Sequence, residues 1–391
     1  MAPIKVGFIG LGATSGWARG AHLPYLQESG KYEIVALLNS SVESSRLAIK
    51  QYGLPESTKA YGDPEGQSRC PSTPNSRDLP QTEMAKDPNV DLVICSVRVD
   101  RHLSTIGPSL KAGKNVFVEW PLGKSAAEAR QLLKLKNEGG VKTAVIGLQA
   151  RQAPIIKKVA SLISSGKVGR VLSSTWAGQA GTGGPTTTEG TKYIGDKEVG
   201  GNLVTIHFGH AVDYVQAVLG YGFVEPKGLL ERRRTHVKLV DGEGKVLKEG
   251  VEKTADDTIF VTGKLRNGIP VSITLRGGKP FKGTPGLDWR IYGEKGEIRV
   301  IASGPFLQIG YPDMKIQMHD FESDGLEEVE IPKDELDEGE RKDAFGGLAA
   351  KNVGRLYRGL AMGEVNCSFE DAVERHEFLE ELYRQNGYLE G

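Results

Sequence analysis

The stretch "IKVGFIGLGATSG", Ile4 to Gly16, decides how the chain begins. An apolar run of strand character enters Gly10-Leu-Gly12-Ala-Thr14-Ser15-Gly16, and a helical pattern from Trp17 to Gly30 follows. Strand, glycine turn and helix in that order are the context a dinucleotide-binding fingerprint requires. Gly10 suits the tight turn, and Gly12 lets the backbone approach a pyrophosphate. The helix N-terminus behind them supplies N–H groups and a partial positive charge. The third glycine of the usual pattern comes one residue late, with Ser15 in its place.

Outward from this loop, strands and helices alternate. "EIVALLNS" (33–40) is a strand and "VESSRLAIKQYG" (42–53) a helix that stops at Gly53. "VDLVICSV" (90–97) is a strand followed by a helix over roughly 101–112. "NVFVEW" (115–120) and "KTAVIGLQ" (142–149) are two more strands, separated by the helix "SAAEARQLLKLKNEGG" (125–140). The alternation predicts an α/β fold, a doubly wound parallel Rossmann sheet over residues 1–150. Within it, 66–82 is rich in Pro, Ser, Arg and Asn without periodicity and reads as an exposed insertion.

After residue 150 the texture changes. "APIIKKVASLISSG" is a helix, "KVGRVLSSTWAG" a strand, and an apolar helix lies near 202–219. "LRNGIP" and "GEKGEI" carry hairpin-turn chemistry between strand patterns. Residues 341–386 are helical and charged. Residues 151–391 are therefore expected to form an α+β domain with a large, mostly antiparallel open sheet, serving substrate binding and dimerisation.

Lys+Arg and Asp+Glu are both 50 among 391 residues, so the formal net charge is zero. That argues against nucleic acid as a direct partner, because phosphate neutralisation needs a basic surplus. The basic run "ERRRTHVK" (231–238) reads as a solvated edge. Cys70, Cys95 and Cys367 have no metal-ligand spacing, and the sequence calls for no metal. The first strand begins within a few residues of Met1, leaving no room for a signal peptide, and no apolar run is long enough for a membrane span. The expected setting is cytoplasmic, or nuclear if the protein is a regulator.

The end of the second strand bears on the cofactor. A carboxylate there would take the ribose 2′-OH of NAD. Asn39-Ser40-Ser41 stands there instead. This removes the repulsion of a 2′-phosphate and supplies hydroxyl donors, favouring NADP(H) over NAD(H). Gly10, Gly12, Thr14, Ser15, Asn39, Ser40, Ser41, Ser96, Val97, His102, Glu119, Trp120 and Gln149 make up the candidate cofactor-binding set.

With "VGFIGLG", His22-Leu23-Pro24, "AGKNVFVEWPL" (112–122), "GLQARQAP" (147–154), "ISSGKVGRV" (163–171) and "GGNLVTIHFGHAVD" (200–213) in place, the chain resembles the Gfo/Idh/MocA oxidoreductases over nearly its whole length. "VFVEWPL", "GTKYIGD" and "VTIHFGHAVD" are most similar to the fungal galactose-regulon repressor branch, which binds a dinucleotide and an activator protein. The resemblance implies a Glu-Lys-Pro motif at Glu119-Trp120-Pro121, so the family's lysine is absent. It also implies an aspartate at Ile206, four residues before a catalytic His210. The repressor branch has a threonine where this chain has His207.

His207 and His210 are three apart, a spacing that puts both imidazoles on one face of an α-helix. Imidazole suits proton exchange at neutral pH. Lys192 and Tyr193 precede that helix, and either would replace the missing lysine as proton source or carbonyl polariser. Trp120 reads two ways, as a block filling the lysine's volume or as a platform for a ring. Two functions stay open. One is an NADP(H)-dependent oxidoreductase acting on a small polyhydroxylated or carbonyl substrate, with Gln149 and Arg151 at the substrate end. The other is a non-catalytic dinucleotide-binding regulator with a protein partner. The resemblance implies a homodimer in either case.

Overall fold

The computed structural model describes residues 2–14, 16–63 and 79–388. It divides into two compact units, Met1–Gln149 with Glu335–Val373, and Ala150–Asp334 with Glu374–Gly391. Most of the expected insertion, and Ser15 and Cys70 with it, lies outside the described residues. The insertion's last residues do not: a helix starts at Pro80 and runs to Lys86, with proline in its first turn.

In the first unit, six parallel strands are described: β1 (Ile4–Ile9), β2 (Tyr32–Ser41), β3 (Lys59–Asp63), β4 (Leu92–Cys95), β5 (Asn115–Val118) and β6 (Ala144–Ile146). Their order is β3-β2-β1-β4-β5-β6. β4 and β6 are buried at every position, as expected of strands covered on both faces. The strand order reverses between β1 and β4, and ligands of such sheets bind outside the carboxyl ends at that point.

Residues Glu335–Val373 were expected in the second domain and belong instead to this unit. The helix Leu348–Ala361 explains why. Val353, Leu356, Tyr357 and Leu360 recur at helical spacing and enter one core with Val6, Phe8, Ile94 and Phe117. Each such side chain stabilises the unit by about 1.5–3 kcal/mol when fully buried. The apolar stripe was readable, but it did not say which sheet it would cover.

The second unit carries β7 (Val171–Ala180), β8 (Thr186–Thr187), β9 (Phe223–Glu231), β10 (His236–Val240), β11 (Val246–Glu252), β12 (Thr258–Leu265), β13 (Pro270–Gly277), β14 (Leu287–Gly293), β15 (Gly296–Ala302), β16 (Lys315–Asp320) and β17 (Gly325–Val329). Eight of them form one sheet ordered β17-β16-β15-β14-β7-β13-β12-β9, antiparallel except where β7 runs with β13. β8, β10 and β11 form a small sheet of their own. The helix Gly209–Leu219 packs on the large sheet through Tyr214, whose hydroxyl accepts from Trp176 Nε1 at 2.9 Å. Trp289 Nε1 donates to Ser174 Oγ at 3.0 Å, so both indoles are buried without leaving a donor unsatisfied. Phe260, Tyr292 and Leu326 remain exposed.

Candidate functional site

In the first unit the loop after β1 is built against the end of β4. Gly10 has φ +94°, and a Cβ there would lie 2.5 Å from the Ser96 carbonyl oxygen and 2.7 Å from Val97 Cγ1. No side chain fits, and the requirement brings Gly10, Ser96 and Val97 together. Gly12 differs: no atom lies within 4 Å of where its Cβ would stand. Three of the loop's carbonyls are taken by protein donors. Asn39 Nδ2 donates to Leu11 O at 2.9 Å, the Tyr52 hydroxyl donates to Gly12 O, and Arg19 Nη1 donates to Thr14 O at 3.0 Å. The acceptor side of the loop is thus tied to the protein, as an anion cradle needs. A close-packed first glycine and an open second one fit a bound dinucleotide.

At the end of β2, Ser40 is exposed and Ser41 Oγ accepts from Ser44 N at 3.1 Å, capping the helix Val42–Gln51. The Asn39 backbone N–H donates to Ser45 Oγ at 3.1 Å.

His102 is spent inside the protein. Its Nε2 lies 3.0 Å from Val97 O and its Nδ1 3.2 Å from Leu122 O, so the ring braces the loop after β4 against the loop after β5. Burial lowers its pKa, against the opposing pull of those carbonyls. Expected in the cofactor-binding set, it is 1% exposed.

Glu119 is likewise held. Trp17 Nε1 donates to Oε2 at 2.9 Å, and His22 Nε2 stands 2.9 Å from Oε1. His22 Nδ1 meets the Tyr357 hydroxyl at 2.6 Å. A wide π-helical turn, Ala18–His22, sets His22 in this position. Behind Glu119, a Cβ on Gly147 would lie 2.6 Å from Oε1, so a side chain there would displace the Glu119 carboxylate. Trp120 is 4% exposed and Gln149 is 1% exposed. Trp120 is therefore packed rather than offered as an open surface.

In the second unit the histidine helix starts irregularly. Asn202 Oδ1 accepts from Val204 N and Thr205 N, and a π-helical turn covers Leu203–Phe208 before the α-helix Gly209–Leu219. The α-helical spacing expected for His207 and His210 is thus replaced by a wider turn, of the kind common at functional sites. The His207 ring stacks on Phe306, centroids 4.2 Å apart at 17°. Both its nitrogens are sealed from solvent and have no hydrogen-bond partner among the described residues. Burial, reinforced by His210, lowers the His207 pKa to about 3, so the ring is neutral at pH 7. His210 is 5% exposed. Ile206, at the aspartate position, is half-buried.

A buried ion cluster lies one turn beyond. Arg151 grips Asp213 with Nε to Oδ2 at 2.9 Å and Nη2 to Oδ1 at 2.7 Å, and Arg375 adds a contact to Oδ1 at 3.3 Å. Burial pushes the Asp213 carboxyl up. Arg151, Arg375 and His210 outweigh it and hold the group below the usual carboxylate range. Arg151, expected at the substrate end, spends its guanidinium fork here. Lys192 and Tyr193 sit on a short 3₁₀ segment, Glu189–Gly195. Lys192 is exposed and lines a cavity with Asp256 that neither His207 nor His210 lines. Among the described residues no group of His, Cys, Asp and Glu is arranged to hold a metal ion, and no helix is long and apolar enough to cross a membrane.

Sequence reasoning missed Trp17, Tyr52, Tyr357, Asp213 and Arg375. Only Asp213 carried a local signal, its one-turn spacing from His210. Tyr357 lies 335 residues from its partner His22.

Residues 4–146 match the model of the oxidoreductase family with NAD-binding Rossmann fold, and residues 154–302 that of the Gal80p C-terminal domain. The galactose/lactose metabolism regulatory protein GAL80 of Saccharomyces cerevisiae is 33% identical over 319 residues, covering 79% of this chain and 69% of that protein. Dehydrogenase aclE of Aspergillus oryzae is 31% identical over 343 residues, covering 84% and 85%. The crystal structure of a super-repressor mutant of Gal80p from Saccharomyces cerevisiae superposes with a TM-score of 0.84 at 27% identity, covering 99% of this chain and 96% of that one. This chain therefore belongs to the Gfo/Idh/MocA oxidoreductase family, close to the Gal80p regulators.

Proposed function

We propose that the protein is a nicotinamide-dependent oxidoreductase that interconverts a secondary alcohol and a carbonyl on a small polyhydroxylated substrate, preferring NADP(H) to NAD(H). His207 carries the reading. A neutral imidazole has one N–H to donate and one lone pair to fill, and on His207, a half-buried residue, both nitrogens are sealed and lack a partner among the described residues. Buried polar groups are otherwise nearly always satisfied, and exceptions cluster where a ligand completes them. A substrate hydroxyl or carbonyl is such a partner.

Gly10, Gly12, Thr14 and Ser15 would hold the pyrophosphate, and Asn39, Ser40 and Ser41 the ribose end. The absence of a carboxylate at 39–41 supports the 2′-phosphate. Bound nicotinamide supplies or accepts the hydride, and the protein supplies position and a proton path. His207, neutral across the physiological range, orients the reacting oxygen. His210 exchanges its proton. Asp213, kept ionised by Arg151 and Arg375, follows His210 by one turn on the same helix. Glu119 and the packed Trp120 set the wall of the nicotinamide site in place of the missing lysine. Two copies pair through the open sheet face on which Phe260, Tyr292 and Leu326 stand exposed. The test is turnover of NADPH and NADP⁺ against sugars, polyols and ketones, beside a binding titration of both nucleotides.

One observation favours a second reading. Trp120 and Ile206 stand where the family pattern has lysine and aspartate, and the Saccharomyces cerevisiae relative at 33% identity is a regulatory protein. On that reading the chain binds a dinucleotide and a protein partner, with no turnover. Tight nucleotide binding with every substrate inert would favour it.

A further inference from the structure

The cavity that Lys192 lines lies wholly within the second unit, walled by the turn after β7, the 3₁₀ segment Glu189–Gly195 and the small β8–β10–β11 sheet. Its lining includes Thr182, Thr186, Thr187, Thr191, Lys192 and Asp256. Its free volume is about 60 Å³, where each water needs about 10–15 Å³. It therefore has room for several waters or one small ligand.

Asp256 is the group that asks for a ligand. It is 1% exposed. The Tyr388 hydroxyl donates to its Oδ1 at 2.6 Å. Its Oδ2 is sealed from solvent and has no hydrogen-bond partner among the described residues. Burying a carboxylate oxygen without a donor is costly, so a donor brought by a ligand is strongly favoured there. The nearby cations do not fill the need. Lys253 Nζ is taken by Ala255 O at 2.5 Å and Asp257 Oδ2 at 2.9 Å, and Lys197 Nζ stacks over the Tyr388 ring.

The rest of the lining narrows the ligand's chemistry. Threonine hydroxyls both donate and accept. Thr191 Oγ1 is shared with Thr188 Oγ1 at 2.9 Å and Thr187 Oγ1 at 3.3 Å, which leaves Thr187 the looser of the two. The Lys192 and Lys253 ammonium groups disfavour a cation, and Asp256 and Glu252 disfavour an anion. An uncharged molecule with adjacent hydroxyls suits this lining: one hydroxyl would donate to Asp256 Oδ2 and the next would exchange hydrogen bonds with Thr187 and Lys192. We infer that this cavity is a binding site for a small polyol, anchored by Asp256 Oδ2. The inference concerns binding alone and does not rest on the oxidoreductase reading.

The test titrates erythritol into the full chain labelled at isoleucine δ1 methyls, following Ile194, which also lines the cavity. A saturable shift is expected. Asp256→Ala should weaken binding about tenfold to a hundredfold, the range of one hydrogen bond to a charged group. Tyr388→Phe removes the Oδ1 bond but keeps Oδ2, and should bind like the parent. Should Asp256→Ala fail to fold, Thr187→Val, which removes only a weakly held hydroxyl, should still weaken binding about threefold or more. A linear, unsaturable shift in the parent overturns the inference. So does unchanged affinity in folded Asp256→Ala or in Thr187→Val, or displacement of erythritol by propylammonium at lower concentration, which would mark a cation site.

Discussion

Exchanging each of the first two loop glycines for alanine separates folding from binding within one turn. Gly10→Ala places a Cβ at φ +94°, 2.5 Å from the Ser96 carbonyl oxygen and 2.7 Å from Val97 Cγ1. The left-handed backbone costs an L-residue about 1–2 kcal/mol. The overlap falls partly on backbone, which cannot rotate aside, and overpacking of this kind costs about 1–3 kcal/mol. The sum, about 2–5 kcal/mol, corresponds to a fall in melting temperature of about 4–20 °C for a unit of this size. At Gly12 nothing lies within 4 Å of the added carbon, and φ is outside the left-handed range. Gly12→Ala should therefore melt within about 2 °C of the parent, since alanine at a compatible position is neutral or slightly stabilising. It should nonetheless lose dinucleotide affinity at least tenfold, about 1.4 kcal/mol, because the methyl occupies the approach to the pyrophosphate. Differential scanning calorimetry and a fluorescence titration with NADPH read the two effects. A parental melting temperature for Gly10→Ala, or undiminished affinity for Gly12→Ala, would refute this account of the loop.

Asn39→Asp should weaken NADPH more than NADH, because the new carboxylate repels a 2′-phosphate and accepts from a free 2′-OH; equal affinities for the two nucleotides in both proteins would sink the preference. His207 has a folded pKa of about 3 against 6.5 unfolded, so below pH 6.5 the unfolded chain binds a proton that the native one refuses. Its contribution is full above pH 6.5 and is lost as pH falls toward 3, at up to about 1.4 kcal/mol per pH unit. The urea midpoint of the parent should therefore drop faster between pH 7 and 5 than that of His207→Gln, and parallel curves would contradict it. Arg151→Met leaves the buried Asp213 charge with Arg375 alone, and should destabilise the second unit by about 3–5 kcal/mol in chemical denaturation. The Asp213 pKa is depressed in the fold, so its ion-pair stability holds above the ordinary carboxylate pKa and is lost as pH falls through the folded value.

The Rossmann half was legible because its signals are local. β4 is a continuous apolar run and β5 is apolar after Asn115, and Gly10 and Gly12 announce the turn that joins the first strand to the first helix. The hairpin turns "LRNGIP" and "GEKGEI" likewise announced antiparallel pairs in the open sheet of the second unit. What the sequence withheld depends on distant partners. Glu119 stands in the expected cofactor-binding set, yet Trp17 and His22 hold it, and His22 in turn is held by Tyr357 on a helix that the pattern placed in the other unit. Arg151 was expected at the substrate end, yet Asp213 takes its guanidinium from 62 residues away. The π-helical turn before Gly209 was hidden because its residues have ordinary helical composition, and only backbone geometry distinguishes it.

The central claim is that the chain transfers hydride despite carrying Trp120 and Ile206 in place of lysine and aspartate. The most direct measurement is mass spectrometry of products formed from C4-deuterated NADPH and a panel of keto-sugars and ketones, run with the parent, His210→Ala and Trp120→Lys/Ile206→Asp. The account predicts deuterium at the carbinol carbon with the parent and a loss of about 10²–10⁴ in rate for His210→Ala at unchanged NADPH affinity. It predicts no gain from the double substitution, because the proton path runs through different groups. A parent that binds NADPH tightly yet transfers no deuterium to any substrate, with transfer appearing only in Trp120→Lys/Ile206→Asp, would contradict it.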